Sequence, residues 1–171
     1  AVIAYLRAQP PVKSFRPERE LDFPLNIIFR FYPQPLSGPV PEIPRDDTVA
    51  YGRYLTKVAR CEFCHTARER GRVEPVAGRL MSGGVPFTMG TRTEYSKNLT
   101  PHPDGLGTWS KDSFIARFRV HTAPFPLDRE EDNSEMDWVA FSGMRDEDLG
   151  AIWDYLRTLP PLPTKLLERA D

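Results

Sequence analysis

Cysteine is scarce in this chain, two among 171 residues, so no disulfide framework is available to staple it. Histidine is nearly as rare, at three. A structural zinc site closes on about four Cys or His ligands. Beyond Cys61, Cys64 and His65 only His102 and His121 remain, in no paired spacing. No run of apolar residues approaches the roughly 20 that a membrane-spanning helix needs. Neither sign of charge is in excess: the formal net charge is −1, which points away from nucleic acid as a partner. The N-terminus carries no charged-then-apolar leader, so a targeting segment is expected to be absent or already removed.

What is plentiful is proline, 18 residues, with 11 glycines. That composition points to a loop-rich protein whose core is completed by something other than long regular elements. From Pro10 to Pro44 the prolines come so densely that helix is not expected, and the stretch reads as an extended arm. Its apolar part, Leu21 to Tyr32, is expected to pack against something.

Both cysteines are spent in one pentapeptide, Cys61-Glu62-Phe63-Cys64-His65. Two cysteines separated by two residues, with histidine directly after, is the attachment signature of a c-type haem. On a helix end or tight turn, both sulfurs can reach the two vinyl groups on one porphyrin edge. The His65 imidazole is then carried beneath the ring to bind iron. A thioredoxin-like pair wants a βαβ context, and no strand pattern precedes Cys61. A zinc half-site lacks its other half, and a plain disulfide leaves His65 unexplained. One covalent haem c is therefore the expected cofactor. Its attachment chemistry belongs to the periplasmic or extracytoplasmic face of an energy-transducing membrane.

The pattern of apolar residues predicts four helices and no sheet. The first covers Ala1 to Gln9 and stops at Pro10-Pro11. The second is capped by Asp46 or Asp47, runs to about Cys61 and delivers the motif. Residues 66–110 read as Gly/Pro/Thr-rich loops wrapping the haem. Ser110 caps a short helix over 111–120 with Phe114, Ile115 and Phe118 inward. A last helix opens at Asp146 and runs to about Leu159, with Leu149, Ile152, Trp153 and Leu156 at helical spacing. The expected fold class is all-α. Its divisions are an arm at 1–45, a haem domain at 46–162 and a tail at 163–171.

A low-spin haem needs a ligand opposite His65. Met81, Met89, Met136, Met144, His102 and His121 are the candidates, and methionine is more often core filler than ligand. Met144 reads as packing at the start of the last helix. Met81 and Met89 lie soon after the motif and reach only the near edge. Met136, at the end of the long second loop, stands where a chain returning over the far face presents a ligand. Ligation by His102 or His121 stays open on these residues alone.

Several further segments accompany the motif: Tyr51-Gly52-Arg53-Tyr54-Leu55, Asn98-Leu99-Thr100-Pro101, Gly105-Leu106-Gly107-Thr108-Trp109-Ser110, Met136-Asp137-Trp138, and Met144 through Ile152 leading to Tyr155-Leu156-Arg157. With them the chain, from about Asp46 to Pro161, resembles class I c-type cytochromes of the kind found in multihaem and diheme cytochrome c subunits of membrane-bound dehydrogenases. The resemblance implies His65/Met136 axial ligation and terminal helices crossing near Gly52 and Trp153 or Tyr155. It also implies that Trp109 and Asn98 lie near the haem edge or its propionates, where the plainer role for both is a loop anchor. One departure is Asp137, where the family usually has proline. Another is the acidic stretch from Pro126 to Glu135. Its run Asp128 to Glu135 is either a solvated loop or a surface that steers a basic partner.

Residues 1–12, AVIAYLRAQPPV, match residues 151–162, AIWDYLRTLPPL, at six of twelve positions. Either the chain begins inside the closing helix of a preceding domain, or Tyr-Leu-Arg with Pro-Pro is simply a common way to end a helix. The function expected is single-electron transfer with redox proteins or other subunits of an electron-transfer complex as partners. A six-coordinate iron leaves no open site for substrate, so an enzyme is not expected. The alternatives are a peroxidase-like enzyme or sensor with an open distal site, a bis-histidine carrier, or an assembly role for the arm.

Overall fold

In a computed structural model of the chain, residues 2–15, 20–32, 34–68, 75–89, 92–121 and 135–167 are described. The chain divides into two units, Ala1–Pro41 and Glu42–Asp171. Most of the acidic run expected at Asp128 to Glu135 lies outside the described residues; Glu135 is within them.

The first unit contains α1 (Val2–Ala8) and α2 (Leu25–Phe31). α2 corrects the expectation of a wholly extended arm. Pro24 occupies its N-cap position, where a missing N–H costs nothing, and no further proline intervenes before Pro33. That proline-free interval is long enough for about two helical turns.

The second unit is mostly helical. Asp47 caps α3 (Thr48–Val58), its Oδ1 accepting from the Ala50 N–H at 2.9 Å. α3 does not run into the motif as one helix. Arg60 adopts a left-handed conformation, φ 57°, and a separate five-residue helix, α4 (Cys61–His65), follows it. Next comes an antiparallel hairpin of β1 (Pro86–Met89) and β2 (Arg92–Tyr95), pairing Pro86 with Tyr95 and Met89 with Arg92. It corrects the expectation of uninterrupted loops over 66–110. The signal for it is two short β-prone runs separated by Gly90-Thr91, outweighed in the sequence by the glycines and prolines around them.

α5 (Lys111–Arg119) begins as expected at Ser110, whose Oγ accepts from Ser113 N while Ser113 Oγ accepts from Ser110 N, a reciprocal capping box. A short α6 (Trp138–Ser142) lies beyond the helices expected. α7 (Asp146–Arg157) closes the chain of helices. Among the described residues there are thus seven helices and one two-stranded hairpin, against the four helices and no sheet expected.

α7 is the centre of the core. Leu149, Ile152, Trp153 and Leu156 are buried as their spacing predicts, and Phe114 and Phe118 of α5 pack with them. α3 also packs against α7, and the two approach so closely at Gly52 that a Cβ there would stand 1.8 Å from the Ala151 carbonyl oxygen. The terminal repeat meets opposite fates. Ile152, Tyr155 and Leu156 of α7 are buried, while their counterparts in α1, Val2, Tyr5 and Leu6, are exposed.

Gly52→Ala forces those two backbones apart. Because the clash is with a carbonyl rather than a yielding side chain, the loss of stability is expected to be about 3 kcal/mol, the upper part of the range for overpacking. Guanidinium unfolding followed by circular dichroism measures it.

Candidate functional site

The site grows from α4. Its five residues put Cys61, Cys64 and His65 on a single rigid piece, and both cysteines are free thiols. Burial pushes the Cys61 thiol up to about 11, and Cys61 packs against the hydrophobic core. Cys64 is also raised, first by burial and then by the negative charge of Glu135. That second cause is informative: it brings the residue before Met136 within electrostatic reach of the motif. Phe63, between the cysteines, stays about half exposed, with the guanidinium groups of Arg60 and Arg68 over its ring at 4.7 and 5.6 Å.

His65 is the best-defined group. Its Nδ1 lies 2.7 Å from the carbonyl oxygen of Lys97. A carbonyl can only accept, so Nδ1 carries the proton and donates, which leaves the lone pair on Nε2. Burial lowers the affinity of this imidazole for a second proton, and the Lys97 carbonyl works weakly the other way. The group is therefore a neutral, oriented donor. Two thiols and one imidazole lone pair on a single short helix form the donor set that a haem bound through two thioethers requires.

Lys97 is placed by the hairpin. Beyond β1 and β2 the ladder continues, with Ser96 N donating to Val85 O and Gly84 N to Ser96 O, both at 2.9 Å. Gly83 N donates to His65 O at 2.8 Å, so the same loop grips the motif by its backbone as well. Gly83 and Gly84 both have positive φ, 65° and 80°. A Cβ on Gly83 would lie 2.6 Å from Ser96 O, and one on Gly84 2.1 Å from Lys165 O. Thr66, fully buried, accepts from Met81 N at 3.0 Å and ties the other side of the loop to the motif.

The remaining candidates fall in different places. Asn98 is buried and its side chain is wholly engaged: Oδ1 accepts from Thr100 N at 2.8 Å, and Nδ2 donates to Leu162 O at 2.7 Å and Thr164 Oγ1 at 3.2 Å. It anchors the loop after Lys97 to the segment after α7. Trp109 is 40% exposed, in the turn before α5. Met81 is fully buried, with its backbone between Thr66 and Leu99, on the motif's own side. Met144 is partly buried against the core. Met89 ends β1, and its side chain is outside the described residues. His102 uses Nδ1 locally, accepting from Asp104 N at 3.1 Å. Met136 is partly buried against the core, and two residues later Trp138 stacks on His121 with ring centroids 4.4 Å apart.

Sequence reasoning misses Lys97, because a backbone carbonyl leaves no side-chain signature. It also misses Thr66 and Glu135, which act only through neighbours that folding supplies. Among the described residues no group of three or more His, Cys, Asp or Glu could hold a bare metal ion. Among them too, no helix is long and apolar enough to cross a membrane.

No protein-family model matches the chain. It is 31% identical, over 184 aligned positions, to the cytochrome c subunit of the quinone alcohol dehydrogenase of Gluconacetobacter polyoxogenes, an alignment that covers 95% of this chain and 37% of that relative. To the cytochrome c subunit of gluconate 2-dehydrogenase from Pantoea cypripedii it is 28% identical, over 64% of this chain and 23% of the relative. To one of the subunits of nicotinate dehydrogenase from Pseudomonas putida it is 28% identical, over 65% of this chain and 8% of the relative. The chain thus spans between 8% and 37% of the length of these relatives. Two of the three are cytochrome c subunits of dehydrogenases, and the widest alignment, at 95% of this chain, is long enough to contain both the motif and most of the arm.

Proposed function

We propose that this chain carries single electrons through one covalently attached c-type haem. Cys61 and Cys64 would attach the haem, and His65 Nε2 and the Met136 sulfur would ligate its iron. The observation that carries this reading is the 2.7 Å bond from His65 Nδ1 to Lys97 O, which frees Nε2 on the same short helix that holds two unpaired thiols. For Met136 the support is its position just before α6, where it packs, as Cys61 does, against the buried core cluster.

A haem held this way supplies a one-electron Fe(III)/Fe(II) couple. The protein's own groups bind, orient and tune it. By accepting the Nδ1 proton, the Lys97 carbonyl fixes the ring's direction and makes Nε2 a better donor. A methionine thioether raises the potential relative to a second histidine. Asn98 keeps the Lys97 loop in place by its bonds to Leu162 and Thr164, and Trp109 is the edge residue of the next turn. With His65 and Met136 both engaged by the iron, the chain would act as a carrier and not itself as an enzyme. From its relatives we take the partners to be other subunits of a dehydrogenase complex, and the location to be the extracytoplasmic side of the membrane.

Haem stoichiometry and attachment are checked together. A pyridine haemochrome assay is expected to find one haem per chain, which acidified acetone does not extract; in the double variant Cys61→Ala/Cys64→Ala any colour is extracted. Recovery of two or more haems per chain, or of none, refutes the reading. For the second ligand, the oxidised wild type is expected to show the methionine–iron charge-transfer band in the near infrared. Met136→Ala abolishes it and turns the ferric iron high-spin.

A further inference from the structure

The segment that follows Met136 is gripped by the end of α5 and the residues just after it. Trp138 receives three side chains from there. Arg117 places its guanidinium 5.1 Å from the indole centroid, Phe118 meets the ring edge-on at 5.5 Å, and His121 stacks on it at 4.4 Å with the planes 23° apart. Arg119, between them in sequence, reaches further along the same segment. Its Nη1 donates to Ser142 O at 2.5 Å, its Nη2 to Met144 O at 2.7 Å, and its Nε to Asp146 Oδ1 at 3.1 Å. Residues 117–121 therefore hold the chain from Trp138 through α6 to the start of α7, and Met136 stands two residues before the first of these contacts.

These interactions suit a positioning role. Stacked aromatic and cation–π contacts constrain a ring's plane. A guanidinium fork bonded to two carbonyls and a carboxylate fixes backbone direction in a way a point charge does not. α5 itself is tied into the core by Phe114, which meets Phe118 at 5.2 Å and Trp153 of α7 at 5.5 Å. The grip is thus referenced to the most buried helix of the unit.

We propose that Arg119 and His121 are positioning residues for the distal ligand: by holding Trp138 and the 142–146 backbone, they keep the Met136 sulfur at the iron and hinder its replacement by outside ligands. The inference rests on the reading of Met136 as that ligand. Loosening the grip shifts the balance between bound and displaced thioether without removing the thioether itself.

Imidazole, a ligand that competes for ferric iron, tests this on the full haem-loaded chain. It is titrated into wild type, His121→Ala, His121→Phe, Arg119→Gln and Met136→Ala at one pH, followed by the Soret shift, with the near-infrared band and midpoint potential recorded for each. His121→Ala and Arg119→Gln are expected to bind imidazole at least tenfold more tightly than wild type, with a weakened near-infrared band and a lower potential. His121→Phe, which keeps a ring against Trp138, stays close to wild type. If His121→Ala and Arg119→Gln merely melt at lower temperature while imidazole affinity and potential stay at wild-type values, the positioning role is wrong. Should His121→Ala fail to fold, Arg119→Gln, whose side chain is partly exposed, decides alone. Met136→Ala separates this from failure of the ligand assignment. If it leaves the near-infrared band intact, Met136 is not the ligand and the positioning role falls with it. If both histidine variants open the iron to a high-spin state while Met136→Ala does not, His121 itself is the ligand and the proposal is overturned.

Discussion

The hydrogen bond from His65 Nδ1 to the carbonyl of Lys97 joins positions 32 residues apart and decides which ring nitrogen is available for coordination. A good deal of the second unit serves to hold that one carbonyl in place. The β1–β2 hairpin carries its backbone pairing on to Ser96, so Lys97 leaves the ladder in a defined direction. Gly83 and Gly84 let the segment leading into β1 pass within contact of residues 96–98 and 165, where any side chain would collide with backbone. Asn98 then fastens the next residue to Leu162 and Thr164. These contacts remove the freedom of the His65 ring to turn.

The other side of the motif is held by helix packing. α3 presses against α7 at Gly52 and ends at Val58. The left-handed Arg60 then redirects the chain, so that α4 starts on its own axis and not as a continuation of α3. Cys61 is thereby turned toward the core while Phe63 stays about half exposed. The arrangement places the core-facing and the solvent-facing members of one pentapeptide on opposite sides of a helix barely longer than a turn. Among the described residues, no sheet backs the far segment, 135–146. It relies on the end of α5, with aromatic contacts at Trp138 and the Arg119 fork on the backbone beyond.

Much of this is legible from residues alone. The N-cap at Ser110, the cap expected of Asp46 or Asp47 and supplied by Asp47, and the buried stripe of α7 appear where periodicity and capping chemistry put them. These are local signals, set within one or two turns of chain. The hairpin and α2 are hard to read for a local reason too: in Gly/Pro-rich sequence, short runs of four to seven residues are outweighed by the breakers around them. Asn98 carries two readings in the sequence, and its bonds to residues more than sixty positions away are those of a loop anchor.

By itself the sequence determined the chemistry: which residues are thiols, that a histidine follows the second, and that a helix leads toward them. Those facts depend on side-chain identity and on the order of residues along the chain, both of which are covalent properties. Only the tertiary structure decided that the Lys97 carbonyl meets His65, that Glu135 comes within reach of Cys64, and that the end of α5 holds the segment after Met136. Each of these joins distant positions through a backbone carbonyl, a charge or a ring face. None of those leaves a pattern in sequence, because the partner is chosen by how loops close in space.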